Sequence, residues 1–343
     1  MQNETHEICS KPLGKGIKSQ VYKIKEKNPP HNVLIGKIYE NKRKKYYERE
    51  KKILQDISNP NNTVIKDYLV HIKNVNARLR TSNLFTTDST LLTFDFLIHG
   101  NISDYISLKE LGRPLSESYT KLLGYKLLLG LKKCHENNIS HNKIDIRNIM
   151  FDDNFDPIII HFGDAKISND YQKDFVGLGI VLTGLMTSNH IISYKFSQKL
   201  NKYIFRFNKK NNLKESSCEE SDFWQIIEKT KNIRVSNEFM DFFHKLVSPD
   251  KIVKIDDLLD HEWLNDVKKY QKEIEKSLKE EFKINFILLS KSREVADNYK
   301  NNISNMINLD EINEAHTAYS LIDEIIKNEN MLYIWKNIVD KKR

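Results

Sequence analysis

The periodicity of the chain changes once, at His99, and that single change limits the architectures open to it. Up to Leu97, short runs alternate apolar and polar residues at the spacing of half-buried strands; beyond His99, apolar residues recur at helical intervals. Strands gathered ahead of helices, rather than alternating with them, point to an α+β fold in two parts. In the first part, residues 11–40 carry a strand pattern broken by Gly14 and Gly16 and then by the turn cluster Lys27-Asn-Pro-Pro-His31. Residues 42–57 set Tyr46, Tyr47, Ile53, Leu54 and Ile57 at helical spacing, and Ser58-Asn-Pro-Asn-Asn62 ends that helix. More strand-like sequence follows at Leu69–Ile72, Leu84–Thr86 and Leu91–Leu97. In the second part, 102–109, 116–136, 172–187, 221–230, 236–247 and 255–264 read as helices, and only Asn148–Phe151 and Pro157–His161 read as strand. After Trp263 the pattern is helical again over 267–278, 295–307 and 312–338.

Composition narrows the function classes. With 39% hydrophobic and 10% aromatic residues in 343, the chain can build a core, and wholesale disorder is excluded. Its longest apolar runs, such as Val176–Met186, fall far short of the roughly 20 residues a membrane span requires. The opening residues Met1-Gln-Asn-Glu-Thr-His-Glu are polar and acidic, unlike a secretory leader, so a cytoplasmic or nuclear location is expected and secretion is not. Cys9, Cys134 and Cys218 lack metal or redox spacing and read as free thiols. The net charge of +8 arises within residues 1–264, because residues 265–343 hold 14 basic and 14 acidic side chains. Its densest source is Asn41–Lys52, with seven basic residues against two acidic ones. A solvated helix face accounts for that run more simply than a nucleic-acid surface, since no aromatic-interleaved RNA motif accompanies it.

The ordered motifs carry a resemblance. Leu13-Gly-Lys-Gly-Ile-Lys-Ser-Gln-Val-Tyr22, Lys37 on the next strand and Glu50 in the following helix resemble the glycine-rich loop and ion pair of a eukaryotic protein kinase. Leu92-Thr-Phe-Asp-Phe-Leu97 resembles the hinge, with Phe94 as gatekeeper. His141-Asn-Lys-Ile-Asp-Ile-Arg-Asn148 resembles the catalytic loop, His161-Phe-Gly163 the metal-binding tripeptide, and Asp174 the buried anchor of the catalytic loop. The resemblance covers roughly residues 10–264. It implies a bilobal fold with a β-rich N-lobe over 1–98 and a helical C-lobe over 99–264; beyond it, the helical spacing of the apolar residues leads us to expect a helical extension over 265–343. It also implies a nucleotide site at Gly14, Gly16, Val21, Lys37, Glu50 and Asn148, and a stack of Leu54, Phe162 and His141 joining the lobes.

The same comparison exposes what is missing. Kinase chemistry rests on carboxylates that hold Mg²⁺ and orient the attacking hydroxyl. Lys143 stands where the catalytic-loop Asp belongs, and His161 where the metal-binding Asp belongs. A protonated Lys accepts no proton, and imidazole is a poor Mg²⁺ ligand. Asp145 and Asp164 are the candidate substitutes; a salt bridge to Lys143 and a turn position are the plainer expectations for them. Only ten residues separate Gly163 from Asp174, too few for an activation loop, and Ile252 replaces the late Arg that such a loop would require. Ile35, two residues before Lys37, crowds the space the family leaves over adenine. Expected, then, is a pseudokinase: an inactive scaffold or allosteric module that binds other proteins, with no metal site and no cofactor beyond weak ATP binding. The alternatives are an atypical active serine/threonine kinase and a nucleic-acid-associated module. The extension shows no paired-His site; His316 is its only histidine.

Overall fold

The computed structural model describes residues 5–9, 11–29, 31–58, 68–73, 89–97, 99–103, 115–187, 191–199, 202–208, 215–218, 222, 224, 225, 228, 235–248 and 253–279. The readings at 84–86, 104–109, Ile252, 295–307, 312–338 and most of 221–230 lie outside them. Met1–Lys279 forms one compact unit, so the helical residues 265–279 pack with the kinase-like part.

The first part is an antiparallel five-stranded sheet. Strands β1 (His6–Ile8), β2 (Gly14–Lys15), β3 (Gln20–Glu26), β4 (Val33–Tyr39) and β5 (Thr90–Asp95) run in the order β1-β3-β4-β5, with β2 also on β3. One face of the sheet, opposite the one that carries Ile35 and Lys37, buries Tyr22, Ile24, Leu34, Ile38 and Leu91, each at even spacing along its strand. Gly36 is required there: a Cβ would sit 2.8 Å from Ile24 Cγ2. Helix α1 (Lys44–Ile57) follows a 3₁₀ turn at Asn41–Arg43 and buries Tyr47, Glu50, Ile53, Leu54 and Ile57 on one face. Its basic residues lie largely on the other, as a solvated face requires.

The second part is built on α2 (Glu117–Glu136) and α3 (Gln172–Thr187). Ser116 caps α2, its hydroxyl accepting from Tyr119 N. Helix α3 is buried on nearly all sides, as its run Phe175–Met186 dictates. Between them lie the hairpin β7 (Ile149–Phe151)/β8 (Pro157–Ile159) and the short pair β6 (Ile139–Ser140)/β9 (Lys166–Ile167). Helix α4 (Asn237–Val247), capped by Ser236, and α5 (Ile255–Leu259) close the unit around Trp263, whose ring centroid lies 4.8 Å from Phe239 and 4.7 Å from Phe242.

Two sequence expectations are corrected. Strands β10 (Ile191–Ser197), β11 (Lys202–Asn208) and β12 (Glu215–Cys218) form an antiparallel sheet between α3 and α4, where the second part was expected to be helical apart from two strands. The alternation Tyr203, Phe205, Phe207 against Lys202, Ile204, Arg206 carries the period-2 signal, and Phe205 is fully buried against Phe243. Residues 69–72 do not join the first sheet. Leu69 bridges in parallel to Ile159, and the backbone of Tyr68 and Val70 hydrogen-bonds Ile159, so this segment gets its pairing from β8. Of the cysteines, Cys9 is exposed and Cys134 buried, both unbridged. Among the described residues no helix is long and apolar enough to cross a membrane.

Candidate functional site

The site lies where β2–β4 and α1 face the loop after β6 and the turn after β8. Alternation on β4 aims Lys37 inward, and the buried face of α1 presents Glu50 to it. Lys37 Nζ donates to both Glu50 oxygens at 2.7 and 2.8 Å, with both side chains buried. Tyr39 also donates to Glu50. Burial, and then Glu50 itself, push the Tyr39 phenol far above its ordinary value, so it stays a donor.

The catalytic-loop backbone is held from below. Asp174, fully buried on α3, accepts from His141 N at 2.9 Å and Asn142 N at 2.6 Å. Gly177, one turn along, admits the loop: a Cβ there would meet Ile144 O at 2.6 Å. His141 donates from Nε2 to Ile160 O at 3.0 Å and packs edge-on against Phe162, centroids 4.8 Å apart. His141, Phe162 and Leu54 are all buried, and His141 meets Phe162 as the resemblance led us to expect. Asn148 spends an amide proton on Lys143 O at 3.0 Å, closing the loop on itself.

At the two replaced positions the structure departs from the sequence reading. Asp145 does not pair with Lys143. It forks onto Arg147, accepting from Nε at 3.0 Å, Nη2 at 3.2 Å and the backbone N at 2.9 Å. Against burial, which would raise it, those bonds hold the Asp145 carboxyl below its usual range. An Asx turn takes the amide two residues ahead, at Arg147, whereas Lys143 lies two residues behind. Asp164 is no mere turn residue either: although it sits in the 3₁₀ turn Phe162–Asp164, its two oxygens are held by different lysines. Lys143 Nζ lies 3.1 Å from Oδ2, and Lys18, at the tip of the glycine-rich loop, binds Oδ1 and reaches Gly163 O at 3.3 Å. Burial opposes this, yet the two lysines drive the Asp164 carboxyl well below the ordinary value. Arg49 of α1 also donates to Gly163 O. The glycine-rich loop is therefore latched across the cleft, where a nucleotide's phosphates would lie.

Lys18 and Arg49 were missed by sequence reasoning. The available signal was a basic residue inside the Gly16-Ile-Lys-Ser tip, read only as a small-residue turn.

His161 takes a left-handed backbone, φ 71°, uncommon for a side chain other than Gly or Asn. Its Nε2 lies 3.5 Å from both Lys143 Nζ and Asp164 Oδ2. Burial first, then Lys37 and Lys143, pull its pKa down to about 4. A histidine that is neutral in the fold and protonated below about pH 6.5 when unfolded contributes stability that is complete above that pH. That contribution falls away as the pH drops toward 4. Urea midpoints measured at pH 7 and pH 4.5 are expected to differ less in His161→Asn than in the parent; an equal difference would count against this.

Val21 opposes Lys37 in the β3/β4 register, and Gly14 opposes Val21. Ile35 shares the face of Lys37 and registers with Phe94 on β5, so its branched side chain stands in the cleft, half buried. Gly16 N bonds Ser19 O at 2.9 Å, the tight turn expected of it. The donor set does not fit a hard divalent cation: Asp164 has both oxygens on lysines, and Lys143 and His161 offer none. Among the described residues no group of three or more His, Cys, Asp or Glu gathers to hold a metal ion.

Residues 8–177 match the protein kinase domain family model. The chain belongs to the protein kinase superfamily. Relatives named NUAK family SNF1-like kinase 1, from mouse and human, are 28% identical over 167 residues, or 47% of this chain and 22% of theirs. CTD kinase subunit alpha of Saccharomyces cerevisiae is 27% identical over 174 residues, 50% of this chain and 30% of the relative. The chain thus aligns with less than a third of each relative's length. The kinase fold explains the sheet, the Lys37–Glu50 pair and the Asp174 anchor together.

Proposed function

We propose that this kinase-superfamily chain is a scaffold or allosteric module that binds other proteins and transfers no phosphoryl group. One observation carries the reading: Asp164, the carboxylate nearest the missing metal ligand, has both oxygens bound by Lys18 and Lys143. A carboxylate so engaged, with a pKa driven down, is a weak proton acceptor, and the ammonium on each of its oxygens opposes a metal cation there. Asp145 is likewise committed to Arg147. His161, with a pKa of about 4, is no base poised near neutrality, and Lys143 supplies no carboxylate. Beyond Asp164 the chain passes through β9 straight into α3 at Gln172, leaving no segment to form a peptide platform.

The nucleotide side of the reading is tested by thermal shift. A ligand at about 100 times its dissociation constant stabilises a fold by about 2.7 kcal/mol. Millimolar ATP is expected to give far less than that, with no increment from Mg²⁺, and Ile35→Ala is expected to enlarge the shift by relieving the crowding over the ring. A full, Mg²⁺-dependent shift in the parent chain would move the reading to an atypical active kinase.

A further inference from the structure

A second concavity lies behind the hinge, away from the nucleotide cleft, and the chemistry described so far does not use it. Four segments line about 650 Å³: the end of β3 with the start of β4, Lys73, the end of β5 with the hinge, and the turn 152–154 between β7 and β8. That volume is within the range of ligand pockets, roughly 300–1,000 Å³. Its floor is apolar. Leu34 is buried, Val33 is 39% exposed at the start of β4, and Phe96 and Leu97 are half buried. Its rim is acidic, with Glu26, Asp95, Asp152 and Asp153; Lys73 pairs with Asp95 at 3.0 Å, Asn32 donates to Glu26 at 2.9 Å, and the Lys23 ammonium lies 4.7 Å over the Phe96 ring. Asp152 is turned inward, accepting from Asn154 N and Asp156 N, so Glu26, Asp95 and Asp153 carry the field.

On a chain of net charge +8, a carboxylate-rimmed apolar hollow is a local reversal of sign. Fields of this kind select and steer a cationic partner. The apolar floor asks for more than charge: Lys23 already lies over the Phe96 ring, so exposed Val33 and half-buried Leu97 gain most from burying an aliphatic side chain. We infer that this hollow docks an extended segment of a partner protein in which Lys or Arg residues flank an apolar side chain. Carboxylates on three different segments match charges spread along a peptide, whose alternate side chains lie about 7 Å apart. The inference rests on the scaffold reading in one respect, that another protein supplies the segment; it needs no nucleotide and no catalysis.

The test uses the whole chain and a fluorescein-labelled peptide, Arg-Lys-Gly-Leu-Gly-Lys-Arg, followed by anisotropy without nucleotide. Saturable binding is expected, weakened by added salt and by Leu→Ser in the peptide. The triple variant Glu26→Gln/Asp95→Asn/Asp153→Asn, all at surface positions, is expected to bind about tenfold more weakly, since each exposed charge contributes modestly. Val33→Arg, which places a guanidinium on the apolar floor, should abolish binding while leaving the thermal midpoint near that of the parent. No saturable binding, equal affinity of the triple variant, or equal displacement by spermine as by unlabelled peptide would overturn the proposal. If peptide binding fails while phosphoryl transfer is still absent, only this inference falls. If transfer is found with binding intact, only the proposed function falls.

Discussion

Replacing Glu50 with Ala is expected to destabilise the fold by about 3–5 kcal/mol, the cost of leaving a buried charge without its partner. Lys37 has little solvent to turn to, and Glu50 is almost wholly enclosed. The Tyr39 hydroxyl loses an acceptor in the same step. Lys37→Met/Glu50→Leu removes both charges and fills a similar volume, so it should recover most of the loss, as replacement of buried ion pairs by apolar residues often does. Urea unfolding of the single and double variants checks both halves. A loss under about 1 kcal/mol in Glu50→Ala would mean that water reaches the pair.

Trp263→Ala should cost a similar amount, about 3–5 kcal/mol, for a different reason. The indole is fully buried, packed on Phe239 and Phe242, and its Nε1 donates to Glu117 Oε1 at 2.8 Å. Truncation removes the transfer free energy of the ring and leaves a cavity among α2, α4 and the closing 3₁₀ turn. It also leaves Glu117 with only Ser236 Oγ as a donor. Trp263→Phe, which keeps part of the volume, should lose less than half as much. Equal losses in the two variants would show that the hydrogen bond, not the packing, dominates.

How far the sequence reached depended on whether a feature was local. Helix α3 was read at Gln172–Thr187 because a continuous apolar run with Asp174 in its first turn admits little else. Helices α2 and α4 start within a residue of the positions read from periodicity, and in the structure the hydroxyls of Ser116 and Ser236 cap those first turns. The sheet β10–β12 was missed although Lys202–Asn208 alternates well, because residues 188–220 were assigned no element between the apolar helix and the next helical pattern. The site divides the same way. Lys143 and His161 were legible as replacements from spacing alone, but the partners of Asp145 and Asp164 were not. Asp164 meets Lys18 across 146 residues of chain, and no periodicity encodes a contact of that range. A carboxylate two residues from an arginine, as in Asp145 and Arg147, closes a local turn that only backbone geometry distinguishes from a reach to Lys143.

The most direct measurement is single-turnover transfer of the γ-phosphate, with purified chain in excess over labelled ATP, in Mg²⁺ and in Mn²⁺. Loss of a positioned base alone lowers rate roughly 10²–10⁴-fold, and loss of metal neutralisation compounds it. The account predicts label transfer and release no faster in the parent chain than in Lys37→Ala. Transfer well above that background, abolished by Lys37→Ala and by Asp164→Asn, would contradict it and would make Asp164 a working catalytic group.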